Sequence, residues 1–330
     1  TDASAMISTS NFIENPALGP LTASFSSRGP LLAGGGDLLK PDVIAPGQDI
    51  LAGLAPTGNN GDYFGLLSGT SMSSPHVAGL AALFKELHPS WSPMAIKSAL
   101  MTSAGDVIDG GTPAPNTNPV LIFRQGAGHV QPNAAATPGL VFDSNFADWL
   151  GFLCGTQLPT SFCTNAGVPV IDPSDMNLAS IAIGDMTGSQ TITRRVINVT
   201  GGAATFNATH TGMAGFTVAV SPASLTLAAG ETQSFTVRFT RTTAAVNAYT
   251  GGQLTWTDAA AGTKVRVPMV VRPVALAAPV QVGGSYSVTF GYDGPFTATP
   301  RGLVAAASQN STVADDPPNG GCSLNTPCAT

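Results

Sequence analysis

Charged residues are scarce in this chain. Asp, Glu, Lys and Arg make up 10% of its 330 residues, whereas an ordinary soluble domain holds about 25%. The 13 basic and 19 acidic residues give a formal net charge of −6. A surface with so few cations offers no footprint for a polyanion, so we expect no nucleic-acid partner.

Long apolar runs are also missing. The longest compact run covers residues 77–84, whereas a membrane-spanning helix needs about 20 apolar residues, and no membrane span is expected. Hydrophobic residues still make up 43% of the chain, which supplies material for a core and argues against general disorder. At about 150 residues per domain, the length predicts two domains.

The chain has neither an initiator methionine nor a secretory leader pattern at Thr1. We therefore expect it to be part of a longer precursor. Its four cysteines form two close pairs, Cys154/Cys163 and Cys322/Cys328. An even count at short spacing favours local disulfides in an oxidising compartment, with unpaired buried cysteines as the alternative. We expect a secreted, extracellular protein.

Residues 1–150 combine short strands with two helices. Short strands are predicted at 40–47 and 50–54. The first helix begins near Thr70, and because residues 77–84 are apolar on every side, it is predicted to be buried all round.

The second helix is predicted from its start signals. Ser92 is placed as the N-cap and Pro93 as the first helical residue, and the helix ends near Ala104. Residues from about 106 to 174 contain Gly, Pro and Asn throughout and are predicted to be loop-rich. Within them, 151–174 are expected to connect the two domains and to hold a disulfide.

Residues 175–273 change character. Seven or eight short runs of alternating apolar and polar residues follow one another between Gly, Pro, Asn and Asp clusters, a pattern typical of a β-sandwich. Phe206, Phe216, Phe235 and Trp256 are predicted to lie in its core. Residues 274–330 are expected to hold one hairpin-like stretch, 286–290 with 296–299, and a polar tail.

The densest chemical pattern surrounds Ser71. This serine lies at the start of an apolar helix, where unpaired backbone N–H groups and the positive end of the helix dipole favour a developing negative charge. A nucleophilic serine that forms an oxyanion needs such surroundings. A simple helix cap is the alternative on spacing alone.

The motif GTSMSSPHVAG at residues 69–79 closely resembles the active-serine motif of the subtilisin-like serine proteases, the subtilases. Four flanking segments resemble the same family in the same order: SFSSRGP at 24–30, LKPDVIAPG at 39–47, HPSWSP at 88–93 and GAGHV at 126–130. The resemblance covers about residues 1–273. It is greatest to plant cucumisin-type enzymes and their bacterial relatives, which carry a protease-associated insert and a fibronectin-III-like domain.

This resemblance implies an α/β fold, the C-terminal portion of a parallel-sheet catalytic domain at 1–150, followed by an all-β fibronectin-III-like sandwich at 175–273. It also implies roles for three residues. Ser71 is the nucleophile, and its own backbone N–H contributes to the oxyanion hole. Thr70 supplies a supporting hydroxyl, and Ser68 lies on the turn that lines the substrate cleft. Polypeptides are the implied substrates, and no cofactor is implied.

The base of the expected triad is missing from this sequence. In subtilisin-type enzymes the chain order is Asp, His, Ser, yet no histidine precedes Ser71. The chain's histidines all follow it: His76, His88, His129 and His210. We therefore expect the His, the Asp and the oxyanion Asn to lie upstream, and the isolated chain to be inactive as an endopeptidase.

Three alternatives accompany this interpretation. The chain could belong to a non-catalytic surface or binding protein that keeps the protease scaffold. An α/β-hydrolase order would pair Ser71 with Asp109 and His129, but that nucleophile elbow needs Gly at the position of Ser73. Structural calcium is left open at carboxylates that lack EF-hand spacing, where solvated turns are favoured. Those carboxylates are Asp172, Asp175, Asp185, Asp315 and Asp316.

Overall fold

The computed structural model describes residues 19–108, 117–277, 287–291, 295 and 297. A mainly helical region comes first and a β-sandwich follows it. The helices are α1 Thr70–Leu87, α2 Pro93–Thr102, α3 Pro119–Gln125, α4 Pro132–Ala135, α5 Phe146–Thr156 and α6 Ser161–Ala166. Short 3-10 helices lie at Ala33–Gly36 and Pro173–Asp175.

The strands fall into three groups. A hairpin lies before α1, with β1 Ile50–Gly53 and β2 Phe64–Leu67. The strand β3 Leu140–Val141 precedes α5. The remaining strands are β4 Ile181–Met186, β5 Ser189–Asn198, β6 Ala204–Gly212, β7 Phe216–Ser221, β8 Ser224–Leu227, β9 Thr232–Arg241, β10 Thr250–Asp258, β11 Lys264–Pro273, β12 Leu276–Ala277 and β13 Thr289–Phe290.

Helix α2 confirms its predicted start. The Ser92 side chain accepts a hydrogen bond from the Ala95 backbone N–H at 3.0 Å, and Pro93 occupies the first helical position. The helix ends at Thr102, and its residues Ala95–Ala99 include fully buried positions. This helix lies between α1 and the sandwich and so links the two regions.

The prediction that α1 is buried all round is wrong. Phe84 is 4% exposed, but Leu83 is 62% and Leu87 57% exposed. Phe84 packs against Ile96 and Leu100 of α2, so one face of the helix is covered. The opposite face has no partner among the described residues, which leaves an apolar helix surface in water.

The two strands predicted before α1 differ in outcome. Residues 40–47 do not form a strand, because Pro41 and Pro46 have no N–H to donate to a ladder. Only Ile44 makes an isolated parallel bridge, to His129. Residues 50–54 are confirmed as β1, which pairs antiparallel with β2.

The described part of residues 106–174 contains loops, as predicted, but it also contains the helices α3 to α6, which the sequence did not predict. Their Pro and Asn residues start helices instead of breaking them. Asn118 caps α3 ahead of Pro119, and Asn145 caps α5 in a reciprocal pairing with Asp148. The stretch 151–174 accordingly holds the end of α5, helix α6 and a short 3-10 helix as well as loop.

One of the two expected cysteine pairs falls within the described residues. Cys154 in α5 and Cys163 in α6 are joined by a disulfide, so the two short helices are held together covalently. The second pair, Cys322 and Cys328, lies outside the described residues.

The sandwich is confirmed, with two sheets facing one core. One sheet has the strand order β4-β11-β10-β6-β8 and the other β3-β5-β9-β7. Of the four aromatics predicted in the core, Phe206, Phe235 and Trp256 are at most 1% exposed, and Phe216 packs against them partly buried. Because β3 pairs with β5, the helical region contributes a strand to the sandwich.

The helical region and the sandwich also share side-chain contacts. Leu39, Ile122 and Phe123 pack with Ala182 of β4 and Val270 of β11. Nearby, the Gly184 backbone N–H donates to the Asp37 carboxylate at 2.7 Å. A Cβ at Gly184 would lie 1.8 Å from the Gly35 carbonyl oxygen, so the two backbones touch at a position that admits no side chain.

The end of the described chain adds a short pair of strands. Here β12 pairs with β13, Leu276 opposite Phe290. The predicted partner segment 296–299 lies almost wholly outside the described residues. No helix in the described ranges has both the length and the apolar character that crossing a membrane requires.

Candidate active site

Ser71 lies in the first turn of α1. Gly69 is the N-cap and Thr70 the first helical residue, which makes Ser71 the second. Backbone N–H groups in a first turn receive no partner from a preceding turn, and the helix dipole places partial positive charge there. Ser71 and Thr70 are both exposed. The hydroxyl therefore stands beside donors that could stabilise an oxyanion.

Hydrogen bonds join the segment 45–49 to the first turn of α1. The Gly69 N–H donates to the Gly47 carbonyl at 2.8 Å, and the Ser73 hydroxyl donates to the Ala45 carbonyl at 2.9 Å. A Cβ at Gly47 would lie 2.9 Å from the Gly69 carbonyl oxygen and 3.1 Å from the Ser73 Cβ. Glycine at position 47 is thus needed for the loop to approach the start of α1.

Ser68 makes a separate contact just ahead of the helix. Its hydroxyl accepts from the Asp49 backbone N–H at 2.8 Å and donates to Asp49 Oδ1 at 3.1 Å. Both side chains are exposed. The structure therefore brings Ser68, Thr70 and Ser71 to one accessible corner between the β1–β2 hairpin and α1.

None of the described histidines contacts Ser71. The His76 Nδ1 lies 2.8 Å from the Met72 carbonyl, and the His88 ring stacks on Trp91 at 3.9 Å. His129 Nδ1 lies 3.0 Å from the Val130 carbonyl, and burial lowers its pKa against the opposing effect of that carbonyl. His210 lies exposed on β6. Ser71 has no imidazole base among the described residues.

A cavity of about 780 Å³ opens on the other side of the helix start. Gly69, Thr70 and Ser73 line it together with Val77, whereas Ser71 does not. Its far wall is formed by residues 41–48 and by α2. The wall is largely apolar.

One ion-paired group lies in the wall of this cavity. Lys97 Nζ is 3.0 Å from Asp42 Oδ1, and Lys40 Nζ is 2.6 Å from Asp42 Oδ2. Burial lowers the pKa of Lys97, which the Asp42 carboxylate partly offsets and Lys40 reinforces. The arrangement ties α2 to the loop that supports Ser71.

The carboxylates considered for calcium have protein partners. Asp172 accepts from the Ser174 N–H and hydroxyl, Asp175 from the Thr193 N–H, and Asp185 pairs with Arg272. In the described part of the chain, no three His, Cys, Asp or Glu side chains converge as a metal site would require. Asp315 and Asp316 lie outside it.

Sequence reasoning missed the residues that support the turn. Gly47 ends the segment predicted as a strand, and nothing in the sequence indicates that it meets Gly69. Asp49 was not singled out either. A signal existed, since Asp is among the few residues that adopt positive φ easily, but its partner lies 19 residues away, beyond any local pattern.

Comparisons with known proteins find matches for both regions of the chain. Residues 6–128 match the model of the subtilase family, and residues 175–271 match a fibronectin type-III domain. Subtilisin-like proteases SBT2.6 and SBT2.5 of Arabidopsis thaliana are each 39% identical to the chain over 76% of its length. Subtilisin-like protease SBT1.7 of the same plant is 43% identical over 67%. The chain spans about a third of the length of these relatives, 32–34%.

Proposed function

Residues 6–128 belong to the subtilase family and residues 175–271 form a fibronectin type-III domain, and from this premise we propose that the chain is the nucleophile-bearing part of a secreted serine endopeptidase. Ser71 is the proposed nucleophile, Thr70 its supporting hydroxyl and Ser68 a residue of the substrate cleft. The complete protease hydrolyses peptide bonds in polypeptide substrates.

One observation carries the proposal: Ser71 is the second residue of α1 and is exposed. A serine there meets a substrate carbonyl beside first-turn N–H groups and the positive end of an 18-residue helix. The match of the surrounding residues to the subtilase family agrees with this role.

The chemistry follows from that placement. Ser71 Oγ attacks the peptide carbonyl carbon, and a histidine supplied by the rest of the protease takes the hydroxyl proton. The resulting oxyanion accepts hydrogen bonds that include the Ser71 N–H. The C–N bond then breaks, the amine leaves with the proton, and an acyl-enzyme ester remains on Ser71. Water hydrolyses this ester and restores the serine.

The isolated 330-residue chain is proposed to be inactive, because no described histidine reaches Ser71. In subtilisin, loss of the histidine alone costs about 10⁶ in turnover. The exposed face of α1 and the neighbouring cavity support the proposal that further parts of a subtilase domain cover them. Leu83 and Leu87 of α1 are apolar residues of the kind that such a contact buries.

Secretion is part of the proposal as well. The Cys154–Cys163 disulfide fits an oxidising compartment, where such bonds persist. The low charge of the chain is consistent with an exported protein. Recovery of the folded protein from the culture supernatant, with Cys154 and Cys163 fully resistant to alkylation, would support this location.

Casein cleavage tests the proposed activity. We expect the complete protease to hydrolyse casein and Ser71→Ala to abolish the activity. Ser74→Ala is the matched control, because Ser74 is an exposed serine one turn further along the same helix. Equal casein cleavage by the wild-type protein and Ser71→Ala would contradict the proposal. Absence of cleavage in all three, with intact folding, would favour the non-catalytic binding protein.

A further inference from the structure

Asp49 has an uncommon backbone conformation. Its φ is 53°, in the left-handed region that few non-glycine residues adopt and in which Asp and Asn are enriched. Such a conformation persists only where its surroundings hold it. Asp49 directly precedes β1, the first strand of the hairpin that leads into Ser68 and α1.

Asp49 and Ser68 close the open end of the hairpin. The register pairs Ile50 with Leu67, so Asp49 and Ser68 are the next residues outward on each strand. They exchange two hydrogen bonds, one from the Asp49 N–H to the Ser68 hydroxyl and one from that hydroxyl to the Asp49 carboxylate. The pair therefore holds the Ser68 hydroxyl between the backbone N–H and the carboxylate of Asp49.

The Asp49–Ser68 pair lies close to Ser71 along the chain. Only Gly69 and Thr70 separate Ser68 from Ser71, and Gly69 is itself anchored to Gly47. The position of Ser71 therefore depends on two things, the contact that holds Ser68 and the helix α1 that begins at Thr70. The bond to the Asp49 carboxylate is the side-chain interaction that can be removed without disturbing the backbone bond from Gly69.

We propose that Asp49 is a positioning residue for the nucleophile. It holds the Ser68–Thr70 turn so that the Ser71 hydroxyl and N–H face the reacting carbonyl together. This inference rests on the proposed endopeptidase function and adds a residue to it. Because Asp49 acts through Ser68 on the orientation of Ser71, its loss should slow bond formation more than it weakens binding.

Reaction of the complete protease with an alkyl fluorophosphonate tests this. In that reaction Ser71 Oγ bonds to phosphorus, fluoride leaves, and the serine proton passes to the base. Asp49→Gly removes the carboxylate but keeps a residue that tolerates positive φ. We expect it to lower the maximal labelling rate kinact about 5- to 20-fold, with the inhibitor constant KI changed less than about twofold, as for a misaligned reacting group.

Two controls separate positioning from general damage. Asn60 has φ 54° in the loop of the same hairpin, so Asn60→Gly makes the same kind of change away from Ser68 and should leave kinact unaltered. Asp49→Asn keeps an acceptor oxygen and the tolerance for positive φ, and should restore kinact to within about twofold of the wild type.

A double-mutant cycle tests whether Asp49 acts through Ser68. In a Ser68→Ala background the Asp49→Gly change should have no further effect on kinact. Wild-type kinact in Asp49→Gly, or an equal further loss in the Ser68→Ala background, would overturn the inference and leave the proposed function intact. A wild-type protease labelled no faster than Ser71→Ala would instead contradict the proposed function itself.

Discussion

The sandwich and the helical region of this chain differ in how completely they bury their apolar residues. In the sandwich, Trp256, Phe206 and Phe235 are at most 1% exposed, and both sheets face one continuous core. In the helical region, α1 leaves Leu83 and Leu87 more than half exposed, and an open cavity lies at the start of the same helix. The sandwich buries its apolar residues within itself, whereas the helical region exposes an apolar surface of the kind that contacts further protein.

The two regions also differ in the reactive groups that they carry. Among the described residues of the well-packed sandwich no three His, Cys, Asp or Glu side chains converge, whereas the proposed nucleophile lies on the incompletely covered helix. The sandwich contacts the helical region in three ways. Strand β3 pairs with β5, Ala182 and Val270 pack against apolar side chains of the helical region, and the Gly184 N–H donates to the Asp37 carboxylate. We infer that its role is to support the helical region.

The largest expected effect tests the comparison directly with one substitution in two places. Leu254→Ala removes a fully buried side chain of the sandwich and should cost about 2–5 kcal/mol of unfolding free energy. Leu83→Ala, on the exposed face of α1, should stay within about 0.5 kcal/mol of the wild type. Urea denaturation of the 330-residue chain measures both. Equal losses would show that the α1 face is covered in solution.

The disulfide provides a second, smaller test. Reducing Cys154–Cys163 opens a loop with a sequence separation of 9, which should cost about 2–3 kcal/mol by the loop-closure estimate. Because the bond joins α5 to α6, hydrogen exchange should accelerate in residues 146–166 and remain unchanged in β9 and β10. Uniform acceleration across the sandwich would contradict a local role.

The contact between the two regions predicts a pH effect. Burial raises the pKa of Asp37 to about 6; Asp172 and Asp185 add to the rise, while the Gly184 N–H and Arg272 oppose it. A carboxyl whose pKa is raised in the folded state binds its proton more tightly there than in the unfolded chain. Its contribution to the free energy of unfolding is complete below the unfolded pKa near 4 and is lost as the pH rises through the folded pKa of about 6.

Asp37→Asn should therefore remove that loss. Between pH 4 and pH 7 the wild type should lose about 1–2 kcal/mol relative to Asp37→Asn, allowing for partial solvent screening. Thermal melts across this range measure the difference, and Asp62→Asn on the exposed hairpin loop serves as the control. Parallel pH profiles for the wild type and Asp37→Asn would contradict the prediction.

The sequence predicted the sandwich and the position of the proposed nucleophile for different reasons. Alternation along 175–273 reflects local pleating, so it predicted buried aromatics such as Trp256 correctly. The motif at 69–79 predicted Ser71 by resemblance. The start of α2 was readable from Ser92 and Pro93, because capping is a local interaction.

The errors have two causes, which are dependence on distant partners and local helix-start signals that were interpreted as loop. Whether α1 is buried depends on what packs against it, and the composition of the helix does not determine which of its faces are covered. The helices between 106 and 174 were missed because Pro119 and Asn145 were interpreted as loop residues instead of helix starts. The Asp49–Ser68 and Gly47–Gly69 contacts join residues about twenty positions apart, which no local periodicity reports.

Fluorophosphonate labelling of the isolated chain and of the complete protease tests the central claim most directly. The claim is that this chain holds the nucleophile of a subtilase but no base to activate it. We predict that mass spectrometry will find one adduct, on the peptide containing Ser71, in the complete protease and none in the isolated 330-residue chain. Labelling of Ser71 in the isolated chain at the rate of the complete protease would contradict the claim.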